Sequence, residues 1–207
     1  MQVSSEDILT LEQRFRTNLI NSFTGFKSLN LIGTKSQEGQ TNLALFSQII
    51  HVGANPPYIG VLFRPNTVPR HTLENIMETG FFTVNHVSES LLEKAHLTSA
   101  RWDLSEFDAL EIEEEYLHNF HAPFVKRSAV KAACELNERV DLKSNGTHFI
   151  VGEIKYLICP DEIVGGDGYL DIEQAGSLTV SGLDSYHRTE RIERLPYAKP
   201  LETSAKR

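Results

Sequence analysis

Thr41, Asn42, Ser47, Arg64, Arg70 and Thr72 fall within a short stretch of chain, and their side chains suit the binding of a small anion. Hydroxyls and amides fix a ligand by donating and accepting hydrogen bonds, and a guanidinium offers phosphate several donors in a rigid fork. Thr72 stands at the predicted start of a helix, where free backbone N–H groups also favour negative charge. Arg70, Thr72 and that helix start therefore form a candidate phosphate clamp. The plainer alternatives are a solvent-facing Arg70 beside an ordinary cap, an Arg64 paired with an acid, Thr41 and Asn42 closing a turn, and Ser47 satisfying a neighbouring backbone group. The whole set suits a small, rigid anionic ligand better than a polymer.

The elements that must position these groups are mostly strands. FKSLNLIGT, from Phe26 to Thr34, alternates as a half-buried strand, and Glu38-Gly39 supplies a turn into a second strand from Asn42 to Val52. Asn55-Pro56-Pro57 breaks the ladder, because neither proline donates a backbone hydrogen bond. Tyr58 to Phe63 and Phe81 to Val87 are further strands, flanking a helix that Thr72 caps and Gly80 ends. Ser90 and Glu93 have capping-box spacing for a helix through about His96. Val130 to Leu142 alternates as a strand, Asn145-Gly146 turns, and Thr147 to Cys159 returns, with Gly152 marking a bend or bulge. Residues 5 to 17 predict one N-terminal helix capped by Ser5, and Asn18 to Gly25 a turn region. Residues 99 to 124 lack periodicity and hold Trp102 and the acidic run Glu113 to Glu115, which reads as a solvated face. Strands joined by hairpins and short helices predict a mainly antiparallel barrel rather than a doubly wound sheet.

The bulk properties narrow the function. The chain has 207 residues, 40% of them hydrophobic and 23% charged, as expected of one soluble globular domain. A net charge of -8 argues against a general nucleic-acid binder. Cys134 and Cys159 sit in apolar patterns and read as free thiols in a reducing compartment, with no disulfide framework. No apolar leader or span is visible, so a cytoplasmic protein without membrane contact is expected. The eight histidines show no strong ligand spacing; His118 and His121, three apart, read as part of an acidic loop rather than a metal site.

Four stretches resemble flavin-reductase-like proteins: GTKSQEGQTNLALFS from Gly33 to Ser47, the run from Asn55 to Thr72, Phe82 to Asn85 with His86, and THFIVGE from Thr147 to Glu153. GLDSYHRTERIERLPYAKP, from Gly182 to Pro200, is similar to the tail of the flavoredoxin-like branch. The resemblance covers roughly residues 20 to 200. It implies one domain over 1–207, an FMN-binding split barrel with short helical insertions, an N-terminal helix and a C-terminal arm. It also implies a homodimer with FMN near the interface. Thr41, Asn42 and Ser47 would border the flavin and its phosphate, with the backbone of Leu43, Ala44 and the residues to Phe46 at the isoalloxazine edge. Arg64, Arg70 and Thr72 would hold the phosphate. His71 replaces an Asp common at that place in the family, which makes the site less negative. Asn85 would lie close to the flavin or the interface; His86 reads rather as a surface histidine at the strand end than as a contact to flavin or substrate. Tyr186 would edge the flavin or serve as a core aromatic. The activity implied is oxidoreduction, with NADH or NADPH as a transient donor and free flavin, a small acceptor or a redox partner protein as acceptor. A carrier or sensor that binds FMN without turnover is the alternative. Pyridoxamine-phosphate oxidation on a related barrel is a weaker one.

Overall fold

The computed structural model describes residues 1–65 and 70–200. The resemblance stretch from Asn55 to Thr72 is thus interrupted, and the last seven residues of the C-terminal arm lie outside the described residues. Two helices open the chain. Ser4 caps α1 (Ser5–Thr10): its hydroxyl accepts the Asp7 N–H, and the Asp7 carboxylate accepts the Ser4 N–H. Leu11 is extended, and the Glu12 carboxylate then accepts the N–H groups of Arg14 and Phe15 to start α2 (Gln13–Phe23). The single helix and following turn predicted over 5–25 are corrected by this second cap. It satisfies donors left orphaned at a helix start, so helix resumes and runs through the predicted turn.

The strands are β1 (Lys27–Ser28), β2 (Asn30–Lys35), β3 (Thr41–Phe46), β4 (Ile49–Ala54), β5 (Pro57–Phe63), β6 (Phe81–His86), β7 (Glu114–Glu115), β8 (Phe124–Val125), β9 (Lys131–Leu142), β10 (Thr147–Ile158), β11 (Thr179–Ser181) and β12 (Ser185–His187). Three further helices are α3 (His71–Thr79), α4 (Leu92–Leu97) and α5 (Glu106–Ala109). Seven strands form one antiparallel sheet in the order β3-β2-β6-β9-β10-β5-β4. β3 and β4 are its two edges, yet only Ser47 and Gln48 separate them in sequence. So short a link forces the sheet to curl until its edges approach. The result is a barrel open along one seam, with short helical insertions, as the sequence predicted. The strand predicted from Asn42 to Val52 is really these two edges. Asn55 and Pro56, joined by a cis peptide bond, form the turn of the β4–β5 hairpin.

Alternation along the strands sorts most buried side chains into two large cores, beside a smaller cluster of Phe120, Ala122, Phe124 and Ala133. Ile32, Val61, Phe63, Phe82, Val84, Cys134 and Ile150 fill the barrel, and Leu73 and Ile76 of α3 pack against them. Leu31, Leu43, Val87, Leu91, Phe107, Val125 and Val180 form a second cluster, in which residues from α5, β8 and β11 meet strand residues. β2 is consequently buried on both faces. Each fully buried Leu, Ile or Phe contributes about 1.5–3 kcal/mol of transfer free energy. Gly152 marks the predicted bulge, where the β9–β10 register shifts. A Cβ there would stand 2.5 Å from the Phe82 ring, so the bulge lets that ring cross the strand.

Candidate functional site

α3 starts where the sequence predicts an anion clamp, but one turn element differs. The N-cap is Arg70, not Thr72, and the Arg70 N–H donates to Glu74 Oε1 at 3.1 Å. Thr72 therefore lies inside the first turn with its side chain buried. The reason is the hydroxyl's partner: Asn42 Nδ2 of β3 donates to Thr72 Oγ1 at 2.9 Å. A parallel tie runs from Asn75 Nδ2 to Thr34 Oγ1 of β2 at 3.1 Å. These two buried amide–hydroxyl bonds, about 1 kcal/mol each, dock the start of α3 on the β2–β3 edge. Gly80 ends the helix with φ 81°, its N–H reaching the Ile76 carbonyl.

The clamp has unspent donors. Arg70 Nε is buried and has no partner among the described residues, while its Nη2 makes only a long 3.5 Å bond to the Pro65 carbonyl. A buried guanidinium N–H without an acceptor is costly, and phosphate oxygen is the acceptor its geometry matches. Thr72 Oγ1 already accepts from Asn42, so its own proton is free to be donated. The first-turn N–H groups of α3 point the same way by helix geometry. The residues present thus fit a phosphomonoester such as that of FMN. Arg64 is exposed at the end of β5 and joins no ion pair among the described residues.

β3 carries the other expected contacts and divides them. Thr41 turns away from Asn42: its Oγ1 donates to Glu114 Oε1 at 2.8 Å and lies 2.9 Å from Ser105 Oγ. The N–H of Leu43 points off the sheet edge and is taken by Glu106 Oε2 at 2.9 Å, while the Leu43 side chain is fully buried. Antiparallel alternation turns the N–H of Leu45 to the same open edge. Ala44 and Ser47 are half-buried, within β3 and just beyond it.

Asn85 and Tyr186 are spent elsewhere. Asn85 is fully buried; its Nδ2 donates to the Leu31 carbonyl and Thr83 Oγ1, and its Oδ1 accepts the Val125 N–H. It knits β2, β6 and β8 together. The Tyr186 hydroxyl meets His96 Nδ1 at 2.6 Å, and its ring packs on the second core cluster. Burial, with Asp184 nearby, holds its phenol proton on beyond the usual range. His86 Nδ1 meets Ser177 Oγ at 2.9 Å, and burial pushes its pKa down, so it is not the surface histidine expected. Among the described residues no hydrogen bond ties Asn85 or Tyr186 to Arg70, Asn42 or Thr72.

Residues 99–124, which lack periodicity in the sequence, fold against the β3 edge. Ser105, Glu106 and Glu114 hold the β3 edge, and the acidic run is partnered rather than solvated. Glu113 pairs with Lys126, and Glu115 pairs with the buried Lys131 at 2.6 Å. Glu114 also accepts from Tyr116, whose phenol is pushed far up by burial and by that carboxylate. A second group lies on the β9–β10 hairpin, where His148 Nδ1 meets Asp141 Oδ1 at 2.6 Å and Arg139 Nε meets the same oxygen at 2.8 Å. Arg139 and His148 hold the Asp141 carboxyl below its usual range. His148 is in register with Phe63, next to Arg64. Counting outward from the Asn145-Gly146 turn finds this cross-strand pair in the sequence. His118 stacks on Tyr156 and His121 Nε2 meets the Lys35 carbonyl. Among the described residues no three His, Cys, Asp or Glu side chains are grouped to hold a metal, and no helix is long and apolar enough to cross a membrane.

Comparison with known proteins matches this fold. The chain superposes with a TM-score of 0.92 on a split-barrel protein of Shewanella frigidimarina NCIMB 400 named for flavin reductase, at 49% identity, covering 96% of this chain and 100% of that one. Two more distant structures share the fold. Nitrilotriacetate monooxygenase component B from Bacillus cereus is 18% identical, with a TM-score of 0.83 over 94% and 98% of the two chains. The 2-nitrobenzoate 2-nitroreductase of Pseudomonas fluorescens is 21% identical, with a TM-score of 0.81 over 98% and 100%. Residues 27–170 match the sequence model of the flavin reductase like domain, a span that contains α3 and every strand of the seven-stranded sheet. The chain belongs to the flavin-reductase-like domain family, and with it to the FMN-binding redox enzymes of split-barrel fold.

Proposed function

We propose that this protein is a homodimeric FMN enzyme that takes a hydride from NADH or NADPH and passes the electrons to free flavin, a small acceptor or a redox partner protein. The observation that carries the reading is the buried Arg70 Nε, unpartnered among the described residues, two positions before a Thr72 hydroxyl whose proton is free, at the start of α3. Bound FMN supplies the hydride acceptance and the electron release. The chain supplies binding and orientation. Arg70, Thr72 and the first turn of α3 hold the phosphate, and the bond from Asn42 leaves the Thr72 proton available to a phosphate oxygen. The open edge of β3 at Leu45, flanked by Ala44 and Ser47, offers backbone hydrogen bonds to a planar ring. Glu106 and Ser105 keep that edge straight by holding Leu43 and Thr41. No dedicated nicotinamide fold is required, because a transient donor need only lie over the ring.

An anaerobic absorbance spectrum of the purified protein, reconstituted with FMN where needed, tests this. Addition of NADH or NADPH bleaches the flavin band, and the faster donor is the preferred one. A flavin that binds but stays oxidised with both donors overturns the proposed half-reaction and leaves a carrier.

A further inference from the structure

α1 and α2 bury none of their residues. An isolated helix of α2's eleven residues is marginal in water, and most helical stability in proteins comes from packing of an apolar face. α2 has such a face. Phe15, Leu19 and Phe23 recur every four residues along one stripe, with Ile20 beside it and Phe26 just beyond. Phe23 is 86% exposed, Phe26 67% and Ile20 46%. From Gln13 to Lys27 the chain carries Arg14, Arg16 and Lys27 and no acidic residue. Arg14 joins no ion pair among the described residues. In a chain of net charge -8, this is an apolar and cationic surface element.

Its complement lies on the same chain, at the end of α4 and in the segment after it. Between Arg101 and Tyr116 stand seven acidic residues against Arg101 alone. Among them Asp103, Asp108 and Glu111 have no ion-pair partner among the described residues. Leu97, Trp102 and Leu104 add exposed apolar area, Leu104 at 66%. Among the described residues no hydrogen bond, ion pair or ring contact joins α2 to this segment within one copy.

We infer that α2 docks its Phe15–Leu19–Phe23 face on residues 97–116 of a second copy of this chain, with Arg14 toward the unpaired acids. The inference rests on the homodimer reading above and not on the identity of the cofactor. Two-fold symmetry then gives two such contacts per dimer. The contact also bears on the site. The segment it covers supplies Ser105, Glu106 and Glu114, which hold Thr41 and Leu43 on the β3 edge.

The full chain is prepared with benzoylphenylalanine in place of Phe23, as 14N and 15N copies that are mixed, exchanged and irradiated. The inference expects mixed-isotope peptides joining position 23 to residues 97–116. It also expects that a Phe15→Ser, Phe23→Ser variant raises the dimer dissociation constant at least tenfold in sedimentation, while its barrel melts cooperatively as before. Cross-links confined to one isotope, or a dimer whose cross-links avoid 97–116, overturn the docking and leave the dimer. A monomer at micromolar concentration overturns both. Capture of α2 by anionic vesicles, with dimerisation unchanged in the variant, replaces the second copy with a membrane surface. FMN titration by fluorescence on the same samples is scored separately, so loss of the flavin reading leaves the cross-linking result standing.

Discussion

Asn42 and Thr72 stand thirty residues apart in sequence, and their side chains meet at 2.9 Å inside the protein. The bond joins the strand that offers backbone edge groups to the helix whose start offers anion donors. Because the hydroxyl oxygen accepts from Asn42, the Thr72 proton is left free to be donated. One buried amide thus aligns both halves of the candidate site.

Thr72→Val keeps the volume and removes the hydroxyl. It leaves the buried Asn42 amide without its partner, which costs about 1–3 kcal/mol of stability. FMN affinity falls further than stability accounts for, because a phosphate donor is lost as well. Isothermal denaturation and flavin fluorescence titration measure the two separately. Unchanged FMN affinity would remove Thr72 from the phosphate site.

Arg70→Ala removes a half-buried guanidinium at the start of α3 whose buried Nε has no partner among the described residues. A charge-assisted hydrogen bond is worth about 1.5–3 kcal/mol, so FMN binding weakens roughly tenfold to a hundredfold. Arg70→Lys restores only part of it, since an ammonium lacks the guanidinium fork. Equal affinity of all three proteins for FMN would refute the clamp.

The sequence disclosed the strands whose period is carried by local pattern. β9, β10 and the Gly152 bulge follow from alternation and one misplaced glycine, and Gly80 follows from helix-stop chemistry. Arg70 and Thr72 could be paired as a candidate clamp from the sequence because only one residue separates them. What escaped depends on distant partners. Glu106 and Glu114 look like surface acids until α5 and β7 are folded against β3. Asn85 and Tyr186 have the residue types of ligand contacts, but their hydrogen bonds run to Leu31, Val125 and His96, which no local pattern links to them. The break at Ser47–Gln48 was hidden because apolar residues continue on both sides of it.

Asn85→Ala tests that division of labour. Three internal hydrogen bonds are lost, and the buried Val125 N–H and Leu31 carbonyl lose a partner. A destabilisation of about 2–4 kcal/mol follows, at 1–3 per buried group left unsatisfied with partial relaxation. FMN affinity of the folded fraction stays within about twofold, a change of about 0.4 kcal/mol where a tenfold change would be about 1.4. A stable variant with weakened FMN binding would return Asn85 to the flavin.

Glu106→Ala frees the Leu43 N–H from its carboxylate. The change costs about 1.5–3 kcal/mol locally, as for other hydrogen bonds to charged groups. Hydrogen exchange at Leu43 then quickens while β9 and β10 stay protected. Unaltered exchange at Leu43 would show that the segment from Arg101 to Tyr116 does not hold the β3 edge.

His86 makes stability depend on pH in a defined direction. Burial pushes its pKa below the ordinary imidazole value of 6.5, so the folded chain resists a proton that the unfolded chain accepts. Above pH 6.5 both states are neutral at this residue, and it adds no slope. As pH falls below 6.5 the unfolded state binds the proton first, so stability declines. The decline continues until pH passes the lower, folded-state value, where both states are protonated and the slope vanishes. A single proton limits the slope to about 1.4 kcal/mol per pH unit. The acids held below their usual range, such as Asp141, act only at lower pH and leave this window to histidine. His86→Gln keeps a polar group facing Ser177 Oγ and removes the titration. Melting temperatures of the two proteins, compared between pH 7.5 and 5.5, should diverge, the wild type losing more. Parallel curves would mean that His86 takes up its proton as readily in the fold as outside it.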